Sequence, residues 1–316
     1  MPQKRYKINN WSEYNNSLKK RGNLNIWLKN TDKHHWYNQE KPKRGRKRTY
    51  SDKAILCALI VKAAYRLPLR SVEGLIRSTF ELAETNLLVP SYTQISRRAA
   101  SLGKQVKHLT HNKKPTDIVI DSTGIKVYGD GEWRVRQYGK SKRRTWRKIH
   151  LAACPNSHEI ILSKLTDSKT TDAQAAEEII EKLPESTQKV YGDGAYDQRK
   201  VYQKLYNQKI IGIIPPRKNG RQQDSVKKPW LLLRNMYLAT IKGMGGDNLA
   251  KQFWEIFVGY YKRSLAETAV FRFKKLFGDT LSFRTLNSQR TEVYARSVAI
   301  NRMTNLGMPR GHWVIV

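Results

Sequence analysis

The chain has 316 residues, with 60 Lys and Arg against 26 Asp and Glu and a formal charge of +34 at pH 7, an excess that favours a polyanionic partner such as nucleic acid. Hydrophobic residues make up 39% of the sequence and aromatic residues 10%, which is enough for a packed core and disfavours a disordered basic tail. No apolar run approaches the roughly 18 residues of a membrane-spanning helix, and MPQKRYKINN at the start lacks the apolar core of a secretion signal.

The first part of the chain is predicted to be helical. Residues 1–49 form a basic, polar segment that ends in KPKRGRKR. Helices are then predicted through AILCALIVKAAY, capped by Ser51 or Asp52, through LPLRSVEGLIRSTFEL, and in a short basic stretch after Pro90. Three helices in this order within residues 50–115 resemble a helix-turn-helix DNA-binding domain; a plain helical bundle with an exposed basic face is the alternative. The residues expected to face the duplex are Tyr92, Gln94, Arg97 and Arg98.

From Asp117 the apolar pattern changes from helical spacing to strands. Three consecutive strands are predicted through DIVIDSTGIKVY, RTWRKIHLAACP and EIILSKLT. A helix, the strand QKVYGDG, a second helix and the strand KIIGIIPP follow, which predicts a mixed α/β sheet rather than a doubly wound one. Residues 217–250 are too long for a bare loop, so we expect an insertion there with structure of its own. The catalytic domain is predicted to cover residues 116–316.

Two aspartates stand where predicted strands end, and a glutamate lies in the helix after the insertion. Asp121 follows Ile118–Ile120, and Asp193 lies between two glycines after Val190. Each aspartate alone also fits a turn or cap residue, but with Glu267 they show the order of a ribonuclease-H-like nucleotidyltransferase. Three converging carboxylates can hold two Mg²⁺ ions about 3.5–4 Å apart, one activating water or a 3′-hydroxyl and the other stabilising the leaving oxygen.

The helix YYKRSLAETAVFRFKKLFG surrounds this glutamate with basic and aromatic residues. At 100° per residue, Tyr260, Arg263, Glu267 and Lys274 fall in one narrow stripe beside an apolar arc. An ordinary surface helix with an i,i+4 Arg–Glu pair is one alternative. A tyrosine recombinase with Tyr260 as nucleophile is another, although such a site needs several arginines and a histidine around the tyrosine.

Combined, these motifs resemble the insertion-sequence DDE transposases of the insertion-sequence-five family. That family places Tyr, two residues, Arg, three residues, Glu, six residues and Lys around its catalytic glutamate, and this chain has Tyr260, Arg263, Glu267 and Lys274 at those positions. DSTGIKVYGDGEW and YGDGAYD match the two aspartate motifs. The likeness extends to YSDKAILCALIVKAAYRLPLRSVEG, GKSKRRTWRKIHL and NRMTNLGMP, with one departure at residues 153–160, ACPNSHEI, where an acidic turn is expected.

The resemblance implies an enzyme that binds the terminal inverted repeats of its own element, cuts the ends and joins them to target DNA. Asp121, Asp193 and Glu267 would hold two Mg²⁺ ions, for which Mn²⁺ substitutes. The protein would act in the cytoplasm, in association with a bacterial-type nucleoid and without a membrane partner, as a homo-oligomer, a dimer on paired ends. A non-catalytic DNA-binding protein or an inactivated transposase is the alternative function.

The basic segment Arg134–Arg147 is expected to form a hairpin that grips DNA, although a solvated basic loop has the same composition. Its candidate DNA-binding residues are Lys140, Arg143, Arg144 and Trp146. Tyr260, Arg263 and Lys274 are expected to hold DNA phosphates beside the metals.

Overall fold

The computed structural model describes residues 4–28, 33–40, 48–105, 114–127 and 146–315. Lys140, Arg143, Arg144 and residues 41–47 of the N-terminal basic run lie outside the described residues. The chain divides into two compact units. A helical unit comprises Met1–Val106 with Thr285–Val316, and an α/β unit comprises Lys107–Arg284. Within the described residues, no helix combines the length and the apolar character that crossing a bilayer requires.

The described elements follow one another along the chain. The first are β1 (Lys4–Ile8), α1 (Trp11–Lys20), α2 (Leu24–Trp27), α3 (Lys33–Trp36), α4 (Asp52–Tyr65), α5 (Leu69–Leu82) and α6 (Tyr92–Gln105). The α/β unit contains β2 (Asp117–Val127), β3 (Trp146–Ala153), β4 (Ile160–Asp167), α7 (Asp172–Ile180), β5 (Lys189–Tyr191), α8 (Arg199–Asn207), β6 (Ile211–Ile213), α9 (Leu232–Gly243), α10 (Asn248–Phe257), α11 (Ser264–Phe277) and β7 (Thr280–Leu281). The last are α12 (Leu286–Leu306) and β8 (Gly311–Ile315).

The helical unit is built around α4 and α12. Helix α4 is apolar nearly all round and buried, and Ser51 caps it by accepting a hydrogen bond from the N–H of Ala54. Helix α12 packs against α4 and α6. A Cβ atom on Gly103 of α6 would overlap the backbone carbonyl of Asn287, so only glycine permits this approach. Strand β8 also pairs with β1.

This packing places the chain division differently from the predicted boundaries. Residues 285–316, which sequence analysis assigned to the catalytic domain, group with the N-terminal helices. The physical reason is burial: α12 is buried on most of its sides, and the hydroxyl of Thr291 donates a hydrogen bond to the carbonyl of Ala99 at 2.6 Å.

The α/β unit has a mixed sheet with strand order β4-β3-β2-β5-β6. The pairs β2–β3 and β3–β4 are antiparallel, whereas β5 and β6 run parallel to β2. One apolar core, which includes Ile118, Ile120 and residues of α7 and α8, covers one face of the sheet. A second core includes Val119, Tyr191 and Ala266 of α11. The mixed α/β sheet confirms the prediction and is consistent with a ribonuclease-H-like fold.

Residues 217–257 contain helical structure packed onto this unit. A 3₁₀ turn at Pro229–Leu231 leads into α9, and α10 follows. Leu231 is fully buried in the first core, and Trp254 lies in the second. Residues 217–250, which we predict to be an insertion, therefore contain α9 and the start of α10, and these helices contribute to the core.

Candidate active site

Asp121 and Asp193 lie at matching positions beyond the pairing of two adjacent parallel strands. The last paired residues of β2 and β5 are Val119 and Tyr191. Asp121 is two residues after Val119, and Asp193 is two residues after Tyr191. Because neighbouring strands are separated by about 4.8 Å, this register brings the two aspartates close together. The prediction that Asp121 stands at a strand end is wrong, because β2 continues to Val127 and Asp121 pairs there with Leu151 of β3.

The turn after β5 fixes the backbone around Asp193. The Asp193 side chain caps the 3₁₀ turn Gly194–Tyr196 by accepting a hydrogen bond from the N–H of Ala195 at 2.8 Å. A Cβ atom on Gly192 would lie 2.8 Å from Cδ2 of Tyr196, a ring that is only 3% exposed. The glycine before Asp193 therefore makes room for the tyrosine ring that closes the turn.

Asp197 anchors the end of the same turn. Its carboxylate accepts hydrogen bonds from Nε of Arg234 at 2.6 Å and from the N–H of Arg217 at 2.9 Å. Arg234 belongs to α9, so a buried ion pair connects the segment of residues 217–257 to the turn that carries Asp193.

Glu267 lies in the first turn of α11, on a helix that packs on the same face of the sheet as Val119 and Tyr191. The helix begins at Ser264, and Tyr260–Arg263 form a 3₁₀ turn after Gly259, whose φ is 70°. The predicted continuous α-helical stripe from Tyr260 is thus interrupted. Tyr260 and Arg263 still share one side because a 3₁₀ turn has three residues.

Arg263 links two of the three carboxylates. Its Nη1 donates to Oε1 of Glu267 at 2.5 Å, and its Nη2 lies 3.9 Å from Oδ2 of Asp121. Burial raises the pKa of Asp121 above its ordinary value; the charges of Asp193 and Glu267 act in the same direction, while the Ser122 N–H and Arg263 oppose it. Asp121 therefore interacts electrostatically with both other carboxylates.

A polar cluster around Ser122, the residue after Asp121, was missed by sequence reasoning. The hydroxyl of Ser122 donates to Oδ1 of Asp172 at 2.9 Å, and Nζ of Lys148 lies 3.3 Å from the same atom. His150, fully buried beside Asp172, has its pKa lowered to about 4, chiefly by burial. Asp172 begins α7 and reads in the sequence as a helix-start acid; only the sheet brings it next to Ser122.

The hydroxyl of Tyr196 is a second feature absent from the sequence prediction. It is buried and has no hydrogen-bond partner among the described residues. Burial raises the pKa of Tyr196, and the charges of Asp121, Asp172 and Asp193 raise it further. The phenol thus stays protonated close to the carboxylates of the site.

Comparison with known families decides the class of protein. The family described as "Transposase DDE domain" matches residues 112–302, a span that contains Asp121, Asp193 and Glu267. The chain belongs to the DDE transposase family. A second family with the same description matches residues 19–130.

A solved structure also shows a likeness to this transposase. It is titled "Drosophila P element transposase strand transfer complex". The two sequences are 11% identical, and the match covers 90% of this chain and 70% of that chain. The TM-score is 0.29, and a score this low says nothing further about the fold.

DDE transposase domains generally use divalent metal ions, and the donor set here fits such an ion chemically. Carboxylate oxygens are the ligands that hard cations prefer, and the Glu267 side chain is 60% exposed. Among the described residues, no group of three or more His, Cys, Asp and Glu is arranged to hold a metal. The Arg263 guanidinium lies between Asp121 and Glu267, and its 3.9 Å contact with Asp121 is longer than a hydrogen bond.

Tyr260, Arg263, Glu267 and Lys274 form the glutamate motif, and its two remaining members, Tyr260 and Lys274, have different surroundings. Tyr260 packs on Trp254 with ring centroids 5.8 Å apart. Burial raises the pKa of Tyr260 to about 12, which opposes its use as a nucleophile. Lys274 is half-buried, two helical turns beyond Glu267.

The predicted DNA contacts of the helical unit divide into two groups. Gln94 accepts a hydrogen bond from the N–H of Ser91 at 3.0 Å, as a capping residue of α6. Arg98 bonds to the carbonyl of Tyr50 at 3.0 Å and to Asp52. Tyr92 and Arg97 are exposed. The structure thus gives Gln94 and Arg98 partners within the helical unit.

Trp146, the described member of the predicted basic hairpin, begins β3. It is 38% exposed, and the ammonium of Lys126 lies 5.9 Å from the centre of its ring.

Proposed function

We propose that this transposase, of the insertion-sequence-five family, binds the terminal inverted repeats of its own insertion sequence and catalyses metal-dependent DNA cleavage and strand transfer. The observation that supports the proposal is the matching position of Asp121 and Asp193, each two residues beyond the last β2–β5 pair, with Glu267 on the helix that packs on that sheet face. Such a site suits phosphoryl transfer because its carboxylates can hold metal ions that offset the negative charge of the reacting phosphate.

In this proposal Asp121, Asp193 and Glu267 hold two Mg²⁺ ions, with Mn²⁺ as a substitute. When bound, the ions supply activation of the attacking water or 3′-hydroxyl and stabilisation of the leaving oxygen. The protein's own groups orient the carboxylates: the Ser122 N–H donates to Asp121 at 2.8 Å and the Ala195 N–H to Asp193. Arg263 offsets the repulsion between Asp121 and Glu267.

Recognition of DNA is assigned to the helical unit, with Tyr92 and Arg97 as its exposed candidate contacts. Tyr260, Arg263 and Lys274 position the reacting strand beside the carboxylates. The net charge of +34 supports association with DNA in the nucleoid. A dimer would hold the paired ends.

The decisive experiment compares wild type with Asp121→Asn, Asp193→Asn and Glu267→Gln on a plasmid that carries the ends of the element. We expect wild type to cleave with Mg²⁺ and not with a chelator, and each variant to lose cleavage while its affinity for the ends changes by no more than a few-fold. An amide keeps the shape of the side chain but removes the charge that a hard cation needs. Glu185→Gln, an exposed acid on a loop, is the matched control.

Retention of substantial cleavage by any one variant would remove that residue from the site. Specific binding to the ends without cleavage by wild type would instead favour the non-catalytic alternative.

A further inference from the structure

A cationic cavity of about 720 Å³ opens beside the turn that carries Asp193. Its walls come from residues 197–200, Arg217, residues 219–223 and Arg234. Among its described lining residues none is aliphatic or aromatic. Pockets for small organic molecules are mostly apolar, so the chemistry of this cavity favours a charged, hydrated ligand.

Four exposed cations dominate the lining: Arg199, Lys200, Arg217 and Arg221. Asp197 is the acid of the lining, but its carboxylate is fully buried and already bonded to Arg234. Consequently it does not offset the four exposed charges. Asn219 and Gln222 add neutral hydrogen-bond donors to the same walls, a combination that suits phosphate groups.

The cavity lies close to the carboxylates along the chain. Arg199, the first exposed cation of its wall, is six residues after Asp193, and six residues span at most about 22 Å. One DNA strand advances about 3.4 Å per nucleotide, so this distance corresponds to roughly six nucleotides. The buried Asp197–Arg234 ion pair holds the wall and the turn of Asp193 together, which would keep a bound strand in fixed register with Asp193.

We infer that this cavity is a binding subsite for the DNA backbone, which takes phosphates within about six nucleotides of the phosphate that is cut. The inference rests on the proposed function and adds a subsite that the carboxylates and the glutamate motif do not include.

The test is a salt titration of binding to a fluorescein-labelled duplex of arbitrary sequence, followed by anisotropy, with the full chain. Wild type is compared with Lys200→Gln/Arg217→Gln, whose two changed side chains are exposed. Each lost phosphate contact should reduce the slope of log K against log salt by about 0.9, so the double variant should lose about 1.8. Lys182→Gln/Lys209→Gln, two exposed lysines outside the cavity, is the charge-matched control and should keep the wild-type slope.

An unchanged slope in the cavity variant, or an equal loss in the control, would overturn the subsite. If wild type still cleaves DNA with Mg²⁺ in that case, only the subsite fails; if wild type does not bind DNA, the proposed function fails as well. A second arm measures the thermal shift produced by inorganic phosphate. Loss of that shift in the cavity variant without a change in slope would indicate a site for small anions and would also contradict the inference.

Discussion

Arg234 donates two hydrogen bonds to Asp197 in the interior of the α/β unit, from Nε to Oδ1 at 2.6 Å and from Nη2 to Oδ2 at 3.2 Å. The two side chains are 7% and 0% exposed. The planar guanidinium matches both carboxylate oxygens. This pair connects α9 to the residues that follow Asp193, so its loss should affect both stability and catalysis.

Arg234→Met should lower the free energy of unfolding by about 3–5 kcal/mol, because it leaves the Asp197 carboxylate buried without its counter-charge. Urea denaturation of the full chain measures the loss. Glu181→Gln, which breaks the exposed ion pair with Lys204, is the control and should change stability by less than about 1 kcal/mol. Equal effects of the two substitutions would show that the buried pair has no special role.

Gly192→Ala should impair cleavage and lower stability by roughly 1–3 kcal/mol, the usual effect of overpacking. The new methyl group would lie 2.8 Å from the Tyr196 ring, which is buried and cannot move aside freely. Adding Tyr196→Leu should recover part of the stability if the clash is the cause. Gly74→Ala in α5, where a Cβ meets nothing within 4 Å, should instead be neutral or stabilising. Additive losses in the Gly192/Tyr196 double variant would contradict this explanation.

A fragment of residues 1–112 should not unfold cooperatively, because it lacks α12 and exposes the faces of α4 and α6 that α12 covers. The same fragment joined through a flexible linker to residues 285–316 should fold, bind DNA ends and cut nothing. Circular dichroism during thermal melting distinguishes the two fragments. Cooperative melting of the shorter fragment would show that α12 is dispensable for this unit.

Arg263→Ala and Lys274→Ala should reduce strand joining by about 10²-fold while weakening end binding much less, since misplaced reacting groups mainly slow the chemical step. Rates of joining and binding affinity are measured on the same DNA ends. Lys275→Ala, an exposed neighbour, is the control. Arg272, on the same helix, is unsuitable as a control because it donates a hydrogen bond to the carbonyl of His158 at 3.2 Å. If Lys275→Ala proves as damaging as Lys274→Ala, the glutamate motif has no special status among the basic residues of α11.

Local patterns were sufficient to predict the mixed sheet, since each strand is an apolar run bounded by turn residues. Gln94 was assigned to DNA contact, although Ser91 stands three residues before it, which is the spacing of a capping box and the signal for the capping role it has. Contacts between residues that are far apart in the chain could not be predicted from local sequence patterns. Nothing near Asp172 in the chain indicates that it meets Ser122, and nothing near Asp52 indicates that it pairs with Arg98. The placement of α12 depends on tertiary packing, whereas its helical period shows only that a helix forms.

The packing of α12 also has a consequence for the order in which the protein forms during synthesis. Domains generally fold as the chain emerges, N-terminal parts first, at about 5–20 residues per second. Here the α/β unit has emerged before α12 can cover Gly103 and Ala99. The apolar faces of α4 and α6 therefore stay exposed until α12 has been synthesised. The helical unit, although it begins first, completes its core after the α/β unit has emerged. During this interval, chaperones can bind the exposed apolar faces of these helices, and proteases can cleave them.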